Sequence, residues 1–519
     1  MKFIQGKDRK QLALFPTCLD DSLDADNETR LIDLFVDSLD LNSYGFDMDF
    51  VDNGRPAYHP GDLLKLFIYG YLNRIRSSWA LEKECRRNIE LIWLLKGWVP
   101  DHNTISNFRR DNPQAIKKAF RATVQMARHF DLIGGKLLAA DSTKFRAQNS
   151  KKNNFNQKKI ERHLAYIEEK LAQYQAELAQ ADDDPEKQSG ISGEMAKHQH
   201  RKAKYESLKE KLNRTGQEQI STSDPDSRQM IVRNNITEVA YNVQASIDAK
   251  NCIPIDFKVT CNNDSKAMGN MIQRAKSILR TNGFTALYDK GYHTGSEFGL
   301  ATQIGVEVLV AIPGIPRSSQ SPDPAFNVEN FYYDEKEDSY TCPQGHKLTS
   351  NGSWYRGNNY KFRQYKTRVC KNCSARISCT RSRNGKIVQR SEYTPLLEQN
   401  RERVERDKAR YRRRQVIVEH PFGTIKRQWD YGYIITKRGV DRASADIGLI
   451  FTAYNLRRIF NLVDHKRLKE YLRMLWHYIL PFIMPYKRII MFYICSAVSN
   501  FKNWFYRKSF PFSRIWAYI

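Results

Sequence analysis

Two short apolar runs restrict what this chain can become. KLLAAD and FTALYD each carry an unbroken apolar stretch that stops on an acid, Asp141 in the first and Asp289 in the second. Runs of that length without polar alternation are buried strands. VAYNVQASID and PIDFKVT read as an antiparallel pair, Ala245–Ile247 with Ile255–Val259, and VEVLVAIP as a further strand. A helical pattern covers Met268–Leu279, and an apolar stretch, IGLIFTAYNLRRIF, closes the core. The expected class is α/β, a mixed sheet flanked by helices.

Seven segments follow from the pattern. Residues 1–130 form an N-terminal helical domain that opens on Asp20, Asp21, Asp24 and Asp26. GRPAYHPGD then leads into a helix with Pro60 in its first turn and Leu63, Leu64, Phe67, Ile68 and Leu72 at helical spacing. A second helix spans Leu81–Leu95, and VPDHNTISNFRR supplies a turn, a cap and a short basic helix ending in Arg109 and Arg110. Residues 131–151 hold the first part of the α/β core, with a strand ending on Asp141. Residues 152–220 are a helical hairpin insertion. Ile160, Leu164, Ile167, Leu171, Tyr174 and Leu178 follow a heptad seam, ADDDPEKQSGISG breaks it, and Tyr205, Leu208 and Leu212 mark the returning helix. A solvated arm, a dimer contact and a DNA-gripping arm all fit that hairpin. Residues 221–315 continue the core, 316–390 are a loop-rich, cysteine-rich insertion, and 391–462 return to the core through a basic helix from about Leu397 into Glu419. Residues 463–519 form an aromatic, basic tail without periodicity.

The counts of 84 Lys+Arg against 58 Asp+Glu leave a net charge of +26. Such an excess disfavours an enzyme for small metabolites and favours a polyanionic partner, because each neutralised phosphate releases a counterion. Ribosome-associated and membrane-surface proteins share that signature. An aromatic content of 12% and a hydrophobic content of 41% mark a folded chain rather than a basic tail protein. MKFIQGKDRKQLALF has no apolar run of signal length, so a cytoplasmic, nucleoid-associated location is expected. In Leu475–Val498 the apolar run is broken by His477, Pro481, Pro485, Lys487 and Arg488, short of the roughly 20 residues a spanning helix needs.

Asp141 and Asp289 project from strand ends, and a basic helix carries Glu419. An acid in such a place, taken singly, serves most often as a turn or cap residue. Three together suit hard divalent cations, which take oxygen ligands and keep several waters. Two such ions roughly 3.5–4 Å apart stabilise the attacking and leaving oxygens of a phosphoryl displacement. Lys426 lies seven residues beyond Glu419, on the same face of a regular helix. Pro421 lacks a donor and its ring opposes the carbonyl of Ile417, so a kink or restart of that helix is expected there.

With AADST around Asp141, YDKGYH around Asp289, and Tyr411, Arg414, Glu419 and Lys426 in the basic helix, the chain resembles bacterial insertion-sequence transposases with an RNase H-like DDE catalytic domain. It keeps the six-residue spacing between Glu and Lys of their Tyr-Arg-Glu-Lys signature. Four residues separate Arg414 from Glu419, where that signature often has three, so Arg412 or Arg413 is an alternative to Arg414. HPGDLLKLFIYGYL with PDHNTISNFRR is similar to the helical domain preceding such cores, and the resemblance covers about Arg55–Asn461. It implies Mg²⁺ or Mn²⁺, two ions held by Asp141, Asp289 and Glu419. It further implies strand cleavage at element ends by an activated water, then attack of the freed 3′-hydroxyl on another phosphodiester. Lys426 and Arg414 would hold phosphates, and Tyr411 would orient or contact one.

CPQGH opens on Cys342, and CKNCSARISC carries Cys370, Cys373 and Cys379. A CxxC pair with two further cysteines fits a tetrahedral zinc site, with His346 as an alternative ligand and ordinary reduced thiols as the plain reading. No other core-forming pattern shows in that segment. Arg368, Lys371, Arg376, Arg381 and Arg383 around the cysteines suggest a knob that touches DNA. Cys18, Cys85, Cys252, Cys261 and Cys495 read as buried thiols.

The run RERVERDKARYRRR sets Arg410, Arg412 and Arg413 beside Arg414, and with Lys290 and Arg427 these are the expected phosphate contacts. Arg109 and Arg110 are candidates for binding the element ends. The expected partner is double-stranded DNA, both element ends and target, with a homodimer as the simplest way to hold two ends. Two other functions share parts of the pattern: a metal-dependent nuclease without strand transfer, and a catalytically silent zinc-containing DNA-binding protein.

Overall fold

The computed structural model describes residues 18–48, 56–180, 185–233 and 236–483. The chain divides into two compact units, 1–126 with 445–519, and 127–444. Most of the C-terminal tail, Cys495 and part of the break in the hairpin (181–184) lie outside the described residues.

The described part of the first unit is built of helices. α1 (Glu28–Asp37) starts on Asn27, whose side chain accepts from the Thr29 amide, and the single turn α2 (Leu41–Tyr44) follows. α3 (Pro60–Leu72) begins with a proline where no donor is required, and every residue from Leu63 to Leu72 is buried. Where the sequence reads one helix over Leu81–Leu95 there are two, α4 (Ser78–Cys85) and α5 (Ile89–Leu94). Asn88 causes the break, because its side chain caps the Glu90 amide and so starts a new helix. α6 (His102–Asp111) is capped by Asp101 through the Asn103 and Thr104 amides, and α7 (Pro113–His129) follows. Two C-terminal helices, Val440–Leu462 and His465–Ile483, complete the unit. No helix among the described residues is long and apolar enough to cross a membrane.

Two buried charge networks tie these helices together. Lys65, 3% exposed, reaches Asp33 at 2.6 Å and Asp37 at 2.7 Å. Burial opposes the lysine's charge, but the two aspartates outweigh it and raise its pKa. Asp446, fully buried, accepts from Arg76 at 2.7 Å and from the Tyr71 hydroxyl. Arg109 joins this set, donating to the Tyr71 hydroxyl at 3.0 Å and the Arg76 carbonyl at 3.3 Å, with its guanidinium over the Phe67 ring. At 4% exposure Arg109 is a core residue, which removes it from the expected DNA contacts. Arg110 is exposed and paired with its neighbour Asp111. The thiols divide: Cys85 is buried and pushed up to about 12, Cys252 and Cys261 are half-buried, and Cys18 is exposed, against the expectation of uniform burial.

The second unit is mixed α/β. Its main sheet contains β1 (Leu137–Arg146), β4 (Arg228–Arg233), β5 (Ile236–Asp248), β6 (Ile253–Thr260), β7 (Thr285–Tyr288) and β8 (Glu307–Val310). β1 pairs antiparallel with β5 and parallel with β7, β7 pairs parallel with β8, and β4 and β6 both pair with β5. β1 does not stop at Asp141 as expected; it continues to Arg146 because the long β5 offers it partners throughout. Its pairing with β7, however, runs only over Leu137–Ala139. The buried carboxylate of Asp248 anchors the start of β1 by accepting from the amides of Gly134 and Gly135 at 2.9 and 2.8 Å. The free edge of β8 is closed by Asn400, whose amide group exchanges two hydrogen bonds with the Val310 backbone.

Between β1 and β4 the chain makes a small two-stranded pair, β2 (Asn154–Asn156) with β3 (Gln219–Ser221), from which the hairpin α8 (Gln157–Ala179) and α9 (Pro185–Thr215) projects. His163 stacks on Tyr205 inside it, with ring centroids 4.8 Å apart. α10 (Met268–Leu279) and α11 (Gly295–Ile304) pack on each other and against β6 and β8. The segment expected to be loop-rich contains a second sheet of six short strands, β9 (Tyr332–Asp334), β10 (Ser339–Thr341), β11 (Lys347–Ser350), β12 (Tyr355–Arg356), β13 (Lys361–Lys366) and β14 (Val388–Ser391), with the single turn α12 (Arg376–Cys379). It has its own core of Phe331, Tyr340, Leu348, Tyr365 and Val388. α13 (Thr394–Arg406) and α14 (Lys408–Gly423) then return to the main sheet.

Asp446→Ala should lower the unfolding free energy by about 3–5 kcal/mol, since it leaves a buried guanidinium uncompensated. Arg109→Ala should likewise shift the urea midpoint. An unchanged midpoint for Arg109→Ala, with weakened DNA binding, would return that residue to the surface-contact role.

Candidate active site

The register of the main sheet sets two acids side by side. Ala139 pairs with Leu287, so the same parallel register carried on by two residues brings Asp141 opposite Asp289. Neighbouring strands lie about 4.8 Å apart, and residues in register project to the same face. Asp289 follows the last residue of β7 and starts a short 3₁₀ turn, its carboxylate accepting from the Gly291 amide at 2.9 Å. Burial pushes the Asp141 carboxyl up and the charge of Asp289 adds to the effect, while Arg414 and the Ser142 amide counter it. Arg414 donates to Asp141 at 2.9 Å.

Arg414 arrives on α14, which packs on β1, β5 and β7. Tyr411, Arg414 and Val418 follow the i, i+3, i+7 rule and share the face turned to the sheet. The Tyr411 hydroxyl donates to the Tyr288 carbonyl at 3.1 Å, one residue before Asp289. Arg410 is also committed, reaching Thr285 at 2.7 Å and Glu307 at 3.4 Å. Glu419 lies about 100° around the helix from Val418. It is exposed and accepts from Gln415 at 2.9 Å. Among the described residues no three His, Cys, Asp or Glu side chains draw together to hold a metal ion. The structure therefore brings Asp141, Asp289, Arg414 and Tyr411 together, while Glu419 stands exposed on the flank of α14.

The helix does not break at Pro421. It continues to Gly423 and only then widens into a π turn over Thr424–Gln428, with the Trp429 amide bonded to the Thr424 carbonyl. An i→i+5 turn changes the rotation per residue, so the i, i+7 relation of Glu419 and Lys426 fails. Lys426 turns inward instead. Its ammonium donates to the Lys144 carbonyl at 2.6 Å and lies 4.9 Å from the centre of the Phe145 ring. Burial, reinforced by the charge of Lys144, lowers its pKa to about 8. Lys290, Arg412, Arg413 and Arg427 are exposed.

A polar set on β1 and β5 went unread in the sequence. Alternation sends Ser142 and Lys144 to the sheet face opposite Asp141. There Asp264 accepts from Ser142 at 2.6 Å, Asn242 at 2.7 Å, Gln244 at 3.2 Å and Lys144 at 3.4 Å. Burial works against its charge, but these donors outweigh it and hold the carboxyl below its usual range. Tyr292 is fully buried nearby, its hydroxyl without a hydrogen-bond partner among the described residues. Burial suppresses its ionisation, followed by the charges of Asp264, Asp141 and Asp289. The only sequence cue was the acid in CNNDSK, four residues beyond a strand.

In the second sheet Cys342, Cys370, Cys373, Cys379 and His346 all line one cavity of about 20 Å³, room for a single water-sized species. The His346 amide donates to the Cys342 sulfur at 3.3 Å, and Cys342 and Cys379 pack against the small core.

Residues 17–111 match the family described as a transposase domain (DUF772), and residues 341–460 match a transposase DDE domain. The second match takes in the four clustered cysteines, Arg414, Glu419 and Lys426, whereas Asp141 and Asp289 lie outside it. No curated protein matches the chain. A cryo-EM structure of the piggyBac transposase synaptic complex with hairpin DNA is similar over 89% of this chain and 82% of that one, at 9% identity and a TM-score of 0.30. That last likeness is too slight to bear on the site. A chain that carries both matched domains in this order is a DNA transposase of the insertion-sequence DDE type.

Proposed function

We propose that this transposase cleaves the ends of its element and joins them to target DNA at the Asp141–Asp289 pair, within an RNase H-like core. The strand order β6–β5–β1–β7–β8, antiparallel at the first two pairings and parallel at the last two, supports that core. The observation that carries the reading is the shared register of the two aspartates.

DDE transposases work with divalent metal ions, and the residues fit one. Two carboxylates held together by strand pairing repel each other, and the buried Tyr292 hydroxyl near them lacks a partner among the described residues. Asp141 and Asp289 would hold Mg²⁺ or Mn²⁺, with Glu419 as the third acid and two ions as the full complement. Bound there, the ions would supply Lewis acidity to the phosphodiester and to the attacking water. Arg414 fixes Asp141 and carries positive charge to the cleft. Tyr411 acts by anchoring α14 to the end of β7, and Lys426 by tying the π turn to β1, rather than by touching phosphate. Lys290, Arg412, Arg413 and Arg427 are the exposed cations left to track the backbone. A structural zinc ion at the four cysteines and a homodimer on double-stranded DNA complete the proposal, with the protein working in the cytoplasm on the nucleoid.

Incubation with element ends, target DNA and Mg²⁺ should give joined products. Cleavage without joining would favour a nuclease. Asp289→Asn should cut the cleavage rate at least about 100-fold, without lowering the melting temperature. Glu419→Gln should do the same, and a variant keeping half the activity would exclude Glu419 from the site.

Metal analysis of the purified chain should find one zinc per molecule, lost in Cys373→Ser. A zinc-free wild type that melts as the zinc-loaded one does would refute the structural site.

Lys426 has a folded-state pKa below its ordinary value, so its cost is fully present below pH 8 and is relieved as pH rises from about 8 towards 10.5. The stability of the wild type relative to Lys426→Met should therefore improve between pH 7.5 and 9.5. A pH-independent difference in urea titrations would show that the ammonium is solvated.

A further inference from the structure

We infer that the root half of the hairpin α8–α9 holds duplex DNA by its phosphates, and that the acidic outer half is kept off it. The hairpin is a narrow projection: α8 alone has 23 residues, a length of about 34 Å. Its two ends carry opposite charge. In the half next to the core, residues 151–166 and 200–215, eleven Lys and Arg stand against three acids. In the outer half, residues 167–199, eight acids stand against three Lys. Lys202 reaches Glu168 at 3.1 Å where the two halves meet. The root joins the core through β2 and β3, and β2 follows β1, the strand that carries Asp141.

A solvated arm gains nothing from this separation, because like charges one turn apart on a helix repel and opposite ones attract. The outer half uses the favourable arrangement, with Lys197 reaching Glu194 at 2.6 Å. The root does the reverse. Lys158 stands four residues before Arg162 and Lys211 three before Arg214, all four exposed and none in an ion pair among the described residues. Lys204, Lys211 and Arg214 follow helical spacing on one face of α9, away from the seam where His198 and Leu212 are buried. Lys159 has a structural task. Its ammonium donates to the carbonyls of Lys151, Lys152 and Asn154 at 2.9, 3.0 and 2.7 Å, which fixes the turn bearing the exposed Lys151 and Lys152 to the base of the arm. His163, stacked on Tyr205 between the helices, feels the resulting field. Burial lowers its pKa first, and the charges of Lys159, Arg201 and Arg162 lower it further. Those cations come from both helices. A duplex offers what the root lacks, a row of phosphates whose neutralisation releases counterions. The acids of the outer half repel the same backbone over roughly 10 Å at 0.1 M salt, so contact is confined to the base. Such contacts position DNA without reading its sequence.

The salt dependence of binding tests this, read by fluorescence anisotropy with the full-length chain, a duplex of a few helical turns and no added divalent metal. Replacing Lys204, Lys211 and Arg214 together by Gln should lower the slope of log K against log salt by about 2–3, because each phosphate contact contributes about 0.9. Lys211→Gln alone should lower it by about 0.9. Glutamine is as good a helix former as lysine, so the melting temperature should stay that of the wild type. Removing the same charge from the outer half, by Lys170→Gln, Lys187→Gln and Lys197→Gln together, should leave the slope within about 0.5 of wild type. An unchanged slope in the root variants overturns the inference. So does an equal fall in the root and outer triple variants, since the charge would then act at a distance and not by contact. A root variant that keeps its slope but loses a subunit in light scattering overturns it too, and makes the arm a contact between copies. The measurement needs no catalysis, so its failure leaves the reading of Asp141 and Asp289 standing, and failure of the cleavage test leaves this one.

Discussion

The parallel register of β1 and β7 is the constraint from which the site follows. It covers three residue pairs, yet it decides that two acids more than a hundred residues apart in sequence come to lie on adjacent strands facing one way. Much of the second unit guards it. Asp248 pins the entry to β1, Tyr411 is bonded to the last carbonyl of β7, and Asn400 seals the strand beyond. Slipping either strand by one residue would send one acid to the opposite face. The cost of the arrangement is electrostatic: a second carboxylate is held beside Asp141, whose charge burial already disfavours, and Arg414 offsets only part of it.

The strands and their acids were legible because a buried parallel strand shows itself as an unbroken apolar run. The details of α14 were not. The family resemblance grouped Tyr411 with Arg414, while helical spacing paired Glu419 with Lys426, and a π turn after Gly423 undoes that pairing. A π turn leaves no mark in residue type that the pattern of apolar positions reveals. Pro421 misled for a related reason. The missing donor suggested a break, but the helix tolerates it and changes its winding three residues later.

Charge was the least transferable cue. Arg109, in a basic helix end, had every sequence attribute of a phosphate contact, yet it completes a buried network whose other members, Tyr71, Arg76 and Asp446, come from separate helices or loops. The second sheet was missed for a different reason. Its strands are two to six residues long and its core is five side chains, so neither periodicity nor an apolar run has room to show. Its cysteines were legible from spacing alone, and they line one cavity. Asp264 was invisible as well, since what distinguishes it is four donors from two strands rather than anything in its own neighbourhood.

The placing of Asp446 has a consequence for how the protein is made. Its carboxylate receives Arg76, 370 residues earlier, and the helix it stands on supplies much of the core of the first unit. A ribosome has therefore released the whole intervening chain before that core is able to close. During synthesis the second unit, continuous in sequence, is free to fold while the leading helices wait with their apolar faces uncovered. Contacts of such long range are slow to form and leave sticky intermediates. A transcript cut short before codon 446 would yield a leader that lacks its closing helix.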